Sequence, residues 1–227
     1  MAYAPLPGLL VSWPLVTPVA PDTFVQYNVK RRAAGTTTWT RIATIPTLTV
    51  TRYTDYTPAS GQNYEYAVTW TSNRGASGGV FESAEGPAVA GSVTFPGSFL
   101  QDATPQSVNA ANTYVQLRGN MRQNEPRQSP TITPVWGRAQ PTIAFGSYRA
   151  THYTYQLITH DPADQTLWQG LVLLQIQQQT TGAPLLLRTG DMGDRLFVIL
   201  SKLTRADPPW EYIPALEFEE LYVSEAT

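Results

Sequence analysis

Short segments in which apolar and polar residues alternate, separated by turn chemistry, dominate the first ninety or so positions. Residues 9–13 (LLVSW) form the first. In residues 24–30, Val25, Tyr27 and Val29 lie on one face and Phe24, Gln26, Asn28 and Lys30 on the other. Residues 38–45, with Trp39 and Ile42, follow, then 48–53, 63–70 and a weaker segment at 80–90. A period of two sends successive side chains to opposite faces of a strand. Strands at intervals of about a dozen residues with no helical period predict an antiparallel β-sandwich over residues 1–92. Its expected core contains Trp13, Tyr27, Trp39, Tyr64 and Tyr66.

The pattern fades over residues 93–140, where prolines fall among Asn, Gln, Thr and Ser and apolar residues are sparse. This predicts an extended connecting arm, part of a second domain, with strands at 113–117 and 131–136 and the capacity to lie on a neighbouring molecule.

Regularity returns over residues 141–227. Strands are predicted at 141–146 and 148–159, then a helix over 161–179. Asp161 suits the helix cap, Pro162 the first helical position, and Gly182 the left-handed residue beyond the end. Leu167, Leu171 and Leu174, with Trp168 and Val172 beside them, supply the buried stripe. Strands at 184–188, 195–203 and 212–223 follow. The polar turn between the first two holds Gly190 and Gly193, both expected at positive φ. One helix covering a small, split β-barrel accounts for this order, so the whole chain is expected to be mainly β, in two domains joined by the arm.

Composition narrows the functional classes. Charged residues are 14% of the chain against 42% hydrophobic, which leaves much of the surface to Thr, Gln, Asn and Ser. A net charge of −2, with Lys30-Arg31-Arg32 the longest basic run, argues against nucleic-acid binding. With no cysteine there is neither a disulfide framework nor a thiolate nucleophile, as suits assembly in a reducing cytoplasm. The absence of a basic n-region and of a long apolar run predicts a leaderless chain without a membrane span.

Two resemblances rest on these residues. Trp13, Tyr27-x-Val29-x-x-Arg32, Trp39, the turn Asp55-Tyr56-Thr57-Pro58-Ala59-Ser60-Gly61, Tyr64-x-Tyr66-x-Val68 and Asn73-Arg74-Gly75 resemble a fibronectin type III domain. In that family the tyrosine placed like Tyr64 ties its strand to the preceding loop. The second half carries Gly182-Ala183-Pro184-Leu185-Leu186-Leu187-Arg188, Asp191-Met192-Gly193-Asp194, Arg195-Leu196-Phe197-Val198-Ile199-Leu200 and Leu216-Glu217-Phe218-Glu219-Glu220-Leu221. It resembles the β-barrel domain of distal tail and minor tail proteins of siphophages. That likeness implies a structural virion protein at the tail tip, a trimeric or hexameric ring, and other tail proteins as partners, with assembly in the host cytoplasm. The barrel here follows the sandwich, whereas in the family it often comes first.

Candidate chemistry is thin. His152 and His160 are the only histidines and sit in no Ser-His-Asp arrangement. Asp191 and Asp194, even with Asp161 or Asp164, fall short of a calcium loop. Glu217 and Glu219 share a strand face about 7 Å apart, but neighbours on one strand do not flank a cleft. No enzyme, metal or cofactor is expected. Trp136, Trp210 and Tyr148, with the acidic pair Glu217 and Glu219, are the candidate interface residues. A carbohydrate-binding or adhesion module using loop aromatics such as Trp210, reading a host-surface glycan, is the alternative function.

Overall fold

The computed structural model describes the backbone of residues 6–75, 78–102, 114–117, 119–123, 127–133, 142–150, 152–157, 163–190, 192–204 and 215–221. Side chains are described over 6–75, 78–102, 114–117, 169–190, 192–200 and at Glu217. The chain is mainly β, with sixteen strands and one helix among these residues, arranged in antiparallel sheets.

In the N-terminal half, β1 (Leu9–Ser12) pairs with β4 (Arg52–Asp55). The long strands β2 (Thr23–Ala33) and β5 (Asn63–Asn73) pair along nearly their whole length, with β3 (Thr40–Ile45) on the outer edge of β2. The weak segment at 80–90 resolves into β6 (Val80–Glu82) and β7 (Val89–Ser92), which pair with opposite ends of β5. The two sheets share one apolar cluster: Tyr27, Val29, Ala43, Ile45 and Tyr53 are buried, with Val11, Trp13, Val68 and Trp70 packed against them. Trp13 and Phe24 both contact the Tyr27 ring, at centroid distances of 5.4 and 4.7 Å.

Two expectations for this half are corrected. The strand expected at 48–53 begins only at Arg52, because Val50 N turns back to donate to Thr47 O. Trp39 lies outside the core cluster. It is half-buried just ahead of β3, beneath the Arg32 guanidinium at 4.3 Å, because the loop after Ala33 carries it clear of the sheet before pairing resumes at Thr40.

A seven-stranded sheet organises the second half in the order β10-β13-β16-β15-β14-β8-β9. These are β8 (Ser98–Asp102), β9 (Tyr114–Leu117), β10 (Gly119–Gln123), β13 (His152–Leu157), β14 (Leu185–Thr189), β15 (Arg195–Thr204) and β16 (Ala215–Leu221). Strands β11 (Arg127–Thr133) and β12 (Thr142–Ala150) form a separate pair. The segment read as an arm therefore contributes strands to the sheet, and β8 is interior, hydrogen-bonded to both β14 and β9. Four of its five residues are buried, so SFLQD is a core strand too short to show a period. Of the strand expected at 131–136, positions 134–136 lie outside the described residues.

Helix α1 (Ala163–Thr181) ends two residues later than expected, with Gly182 at φ 68° donating its N–H to Gln178 O. The expected cap, Asp161 and Pro162, lies outside the described residues, as do the side chains of Leu167 and Trp168. Leu171 and Leu174 are fully buried against Leu100, Val115, Leu117, Leu185, Leu187, Val198 and Leu200. Gln178, buried on the same helix, accepts from Leu200 N and donates to Val198 O, so its amide is satisfied by β15. Among the described residues no helix is long and apolar enough to cross a membrane.

Candidate functional site

Strand β14 is buried at every position, because it is covered on both faces. Leu185 and Leu187 face the helix; Leu186 and Arg188 alternate with them and face the N-terminal half. That second face receives the turn at residues 55–61. Arg188 donates through Nε to Pro58 O at 2.8 Å, and through Nη1 to Tyr56 O at 2.6 Å and Pro7 O at 2.9 Å. Arg195, at the start of β15, donates to Thr57 O at 2.8 Å. Three consecutive carbonyls of one turn thus accept from two arginines of the other half. Gln101 of β8 adds a bond to Tyr56 O, and the Arg188 guanidinium stacks on Phe95 at 4.5 Å. Leu6, Phe95 and Phe99, with Tyr56 and Tyr114 against them, make the apolar part of the junction.

The turn itself is held from behind. Asp55 is fully buried; its carboxylate accepts from Arg31 Nη1 (2.9 Å), Tyr66 Oη (3.0 Å), Thr57 N (2.9 Å) and Thr57 Oγ1 (2.7 Å). Tyr64 Oη accepts from Ala59 N, tying β5 to the turn. All the donors it needs are therefore supplied from within the N-terminal half. Arg188 is less well supplied: it is fully buried and its Nη2 is one of the buried atoms without a hydrogen-bond partner. Burial pulls its pKa down to about 10, offset by the charge of Asp55 and helped by repulsion from Arg195 and Arg31. At neutral pH it is still a cation.

The polar turn at residues 190–194 docks on the same junction. Gly193 has φ 70°, as expected, but Gly190 is not among the positive-φ glycines. A Cβ at Gly190 would lie 2.1 Å from Phe95 O and 2.6 Å from Gly97 O, and its N–H donates to Gly97 O at 2.6 Å. Close backbone approach requires glycine here, a different reason from the left-handed turn geometry expected.

Two tyrosines near Asp55 give the junction a pH signature. Burial first, and then the Asp55 charge, push the Tyr53 phenol up to about 12 and raise Tyr66 as well. A tyrosine ionises near 10 in the unfolded chain, so the stability from these protons is complete below about pH 10 and is lost as pH rises through about 12. Arg188, lowered by burial, contributes with the opposite sign above about pH 10, one group against two. The denaturant midpoint is expected to fall between about pH 10 and 12, and to fall less steeply in Tyr53→Phe. An equally steep fall in that variant would count against this assignment.

A second feature is an apolar groove of about 510 Å³ between β1 and β7, floored by β5. Leu9, Val11, Trp13, Tyr66, Val68 and Val89 are among its walls, and among the described residues no charged side chain lines it. Leu10 and Val89 stand at its rim, 66% and 65% exposed. Among the described residues β1 pairs only with β4 and β7 only with β5, so each presents an open backbone edge.

Most of the residues expected to form an interface lie outside the described residues. Trp136 and Trp210 lie outside the described residues, as do His160, Asp161 and Asp191. Tyr148 is on β12 and Glu219 on β16, and the side chains of both are outside the described set. Glu217 is half-buried on β16. That strand is paired on both edges, with Glu217 opposite Thr154 and Lys202, and Glu219 opposite His152 and Ile199. Both of its backbone edges are therefore occupied. Among the described residues no three His, Cys, Asp or Glu side chains gather as metal ligands. The junction arginines escaped sequence reasoning, although Leu-Leu-Leu-Arg running into a turn carried a signal: an apolar run too continuous for a strand with one solvated face.

Comparison with protein-family models, with curated proteins and with solved structures gives no match to this chain.

Proposed function

We propose that the chain is a structural protein of a tailed bacteriophage virion, a minor tail or tail-tip component that acts by protein–protein contacts. In this reading the N-terminal half is a fibronectin type III sandwich and the C-terminal half a split barrel carrying one helix. Support for the first comes from the bond between Tyr64 Oη and Ala59 N and from the apolar cluster shared by two sheets. Support for the second comes from one sheet wrapping its apolar face against Leu171 and Leu174. The observation that carries the functional reading is the uncharged groove between β1 and β7, bordered by two open strand edges and exposed Leu10 and Val89. Such edges add a strand from a partner, and apolar rims of this kind are buried on assembly.

Sedimentation of the purified chain and electron microscopy of particles carrying it test this. The expected result is a concentration-dependent symmetric oligomer, located at the tail tip. Leu10→Asp with Val89→Asp is expected to leave monomers whose thermal melting is unchanged, since both side chains are exposed. A chain that stays monomeric and joins no particle, or saturable turnover lost on changing His160, would overturn the proposal.

A further inference from the structure

The groove between β1 and β7 exists because the two sheets of the N-terminal half differ in width. The sheet of β1 and β4 has two strands, and it packs through the shared apolar cluster on a sheet to which β3, β2, β5, β6 and β7 all belong. Among the described residues nothing continues the narrow sheet beyond β1, so Tyr66, Val68 and Trp70 of β5 become the floor of the groove. Leu9 narrows one end: a Cβ on Gly91 of β7 would already touch its methyl groups at 3.6 Å. From there the groove runs along β1 toward Trp13, with Pro87 among its walls.

The backbone of β1 is set to receive another strand. Trp13 N donates to Thr51 O, which continues the register of β1 with β4 and makes these two residues a hydrogen-bonded pair. Such pairs alternate along an antiparallel ladder. Leu9 and Val11 therefore also bond to β4, and the N–H and C=O groups of Leu10 and Ser12 point the other way, along the open edge. Edge strands are usually guarded by a lysine, a proline or a bulge. Residues 9–12 (LLVS) hold none of these, and their register with β4 runs without a break.

This geometry dictates the pattern of an added antiparallel strand, because directly opposed residues share a face. Residues opposite Leu10 and Ser12 exchange backbone hydrogen bonds with them and point to solvent, as those two side chains do. Residues opposite Leu9, Val11 and Trp13 point to the floor, across the roughly 10 Å that separates stacked sheets. A charge at those positions would be buried without a partner, since no charged side chain among the described residues lines the groove. A second copy cannot supply its own β1, because its β5 and β7 would lie beneath that strand in the space this floor occupies.

We propose that the groove takes up one extended segment of a neighbouring protein, uncharged and apolar at every second residue, which adds to β1 as the third strand of the narrow sheet. This deepens the assembly reading above and rests on the same groove.

Titration of the full chain, at a dilution where it is monomeric, with the capped peptide Thr-Val-Thr-Val-Ser-Val-Thr tests it, followed by tryptophan fluorescence and amide hydrogen exchange. The peptide is expected to bind saturably and to slow exchange at the amides of Leu10 and Ser12. The same peptide N-methylated at its Thr and Ser residues, and one with its valines made consecutive, are each expected to bind at least about tenfold more weakly. Ser12→Pro is expected to weaken the first peptide by a similar factor. Its melting temperature should stay within a few degrees of that of the unchanged chain, because the lost N–H faces the open edge rather than β4. Absence of binding, or unchanged exchange at Leu10 and Ser12, would overturn the proposal. Equal binding of the N-methylated peptide would assign the groove to an apolar ligand held without backbone pairing, and would overturn it too. So would self-association that protects the same amides and that the peptide does not displace, which would give the edge to a second copy. A chain that takes up the peptide as expected yet joins no particle would keep the strand site and remove the tail-protein reading; one that joins particles without binding the peptide would do the reverse.

Discussion

Replacing Arg188 by alanine is expected to cost about 3–5 kcal/mol of folding stability, the range found when one partner of a buried charged network is removed. The side chain spans the two halves of the molecule, and its loss strands the carbonyls of Pro7 and Pro58 and leaves Tyr56 O with only the bond from Gln101. Lysine is not expected to rescue it. A single ammonium cannot reproduce the fork that reaches Pro58 through Nε and Tyr56 through Nη1, nor the flat stacking on Phe95. Methionine tests the complementary point, because it removes the buried charge while keeping the packing; it should recover part of the alanine deficit. Chemical unfolding followed by two probes, tryptophan fluorescence and far-ultraviolet dichroism, checks both the size and the form of the effect. The parent is expected to unfold in one transition, and Arg188→Ala in two, as the halves lose the contact that couples them. Coincident transitions in Arg188→Ala, with a loss under about 1 kcal/mol, would show that the apolar cluster of Leu6, Phe95 and Phe99 holds the junction without it.

Gly190→Ala is expected to be nearly as damaging, at about 3 kcal/mol, the upper part of the usual range for overpacking. The added methyl would meet the carbonyl oxygens of Phe95 and Gly97, both backbone atoms that cannot rotate away, and relief requires breaking the Gly190 N–H bond to Gly97 O. Gly182→Ala is the control. Its φ of 68° makes alanine strained, but nothing lies within 4 Å of the new Cβ, so the cost is expected near 1 kcal/mol. Thermal unfolding of the two variants side by side separates the mechanisms. Equal losses would mean that Gly190 is needed only for backbone freedom.

Local patterns carried much of the fold. The period of two holds at Tyr27 and Val29, buried on the central strand β2, but a bulge between Phe24 and Gln26 puts Phe24 rather than Val25 against the core. The apolar spacing of Leu171 and Leu174 corresponds to the buried stripe of α1, and Gly182 to its left-handed end. These features depend on neighbours a few residues apart, so a single segment contains the information. Where a pattern was misread, the missing information was a partner. Trp39 has the residue type of a core position, yet its place was set by Arg32, seven positions earlier, which covers it outside the sheet. Ser98–Asp102 is too short to show a period, and only pairing with β14 and β9 makes it an interior strand.

What the sequence determined by itself was therefore the kind of structure: a mainly β chain with turns at its glycines and prolines and a helix in its second half. What only the tertiary structure decided was which faces meet. The run Leu185-Leu186-Leu187-Arg188 shows that both faces of a strand are buried, but not that one faces Leu171 and Leu174 while the other receives Tyr56, Thr57 and Pro58. Arg188 and Pro58 lie 130 positions apart. Alternation encodes how much of a strand leaves water; the identity of what replaces the water is a long-range property, fixed when the two halves dock.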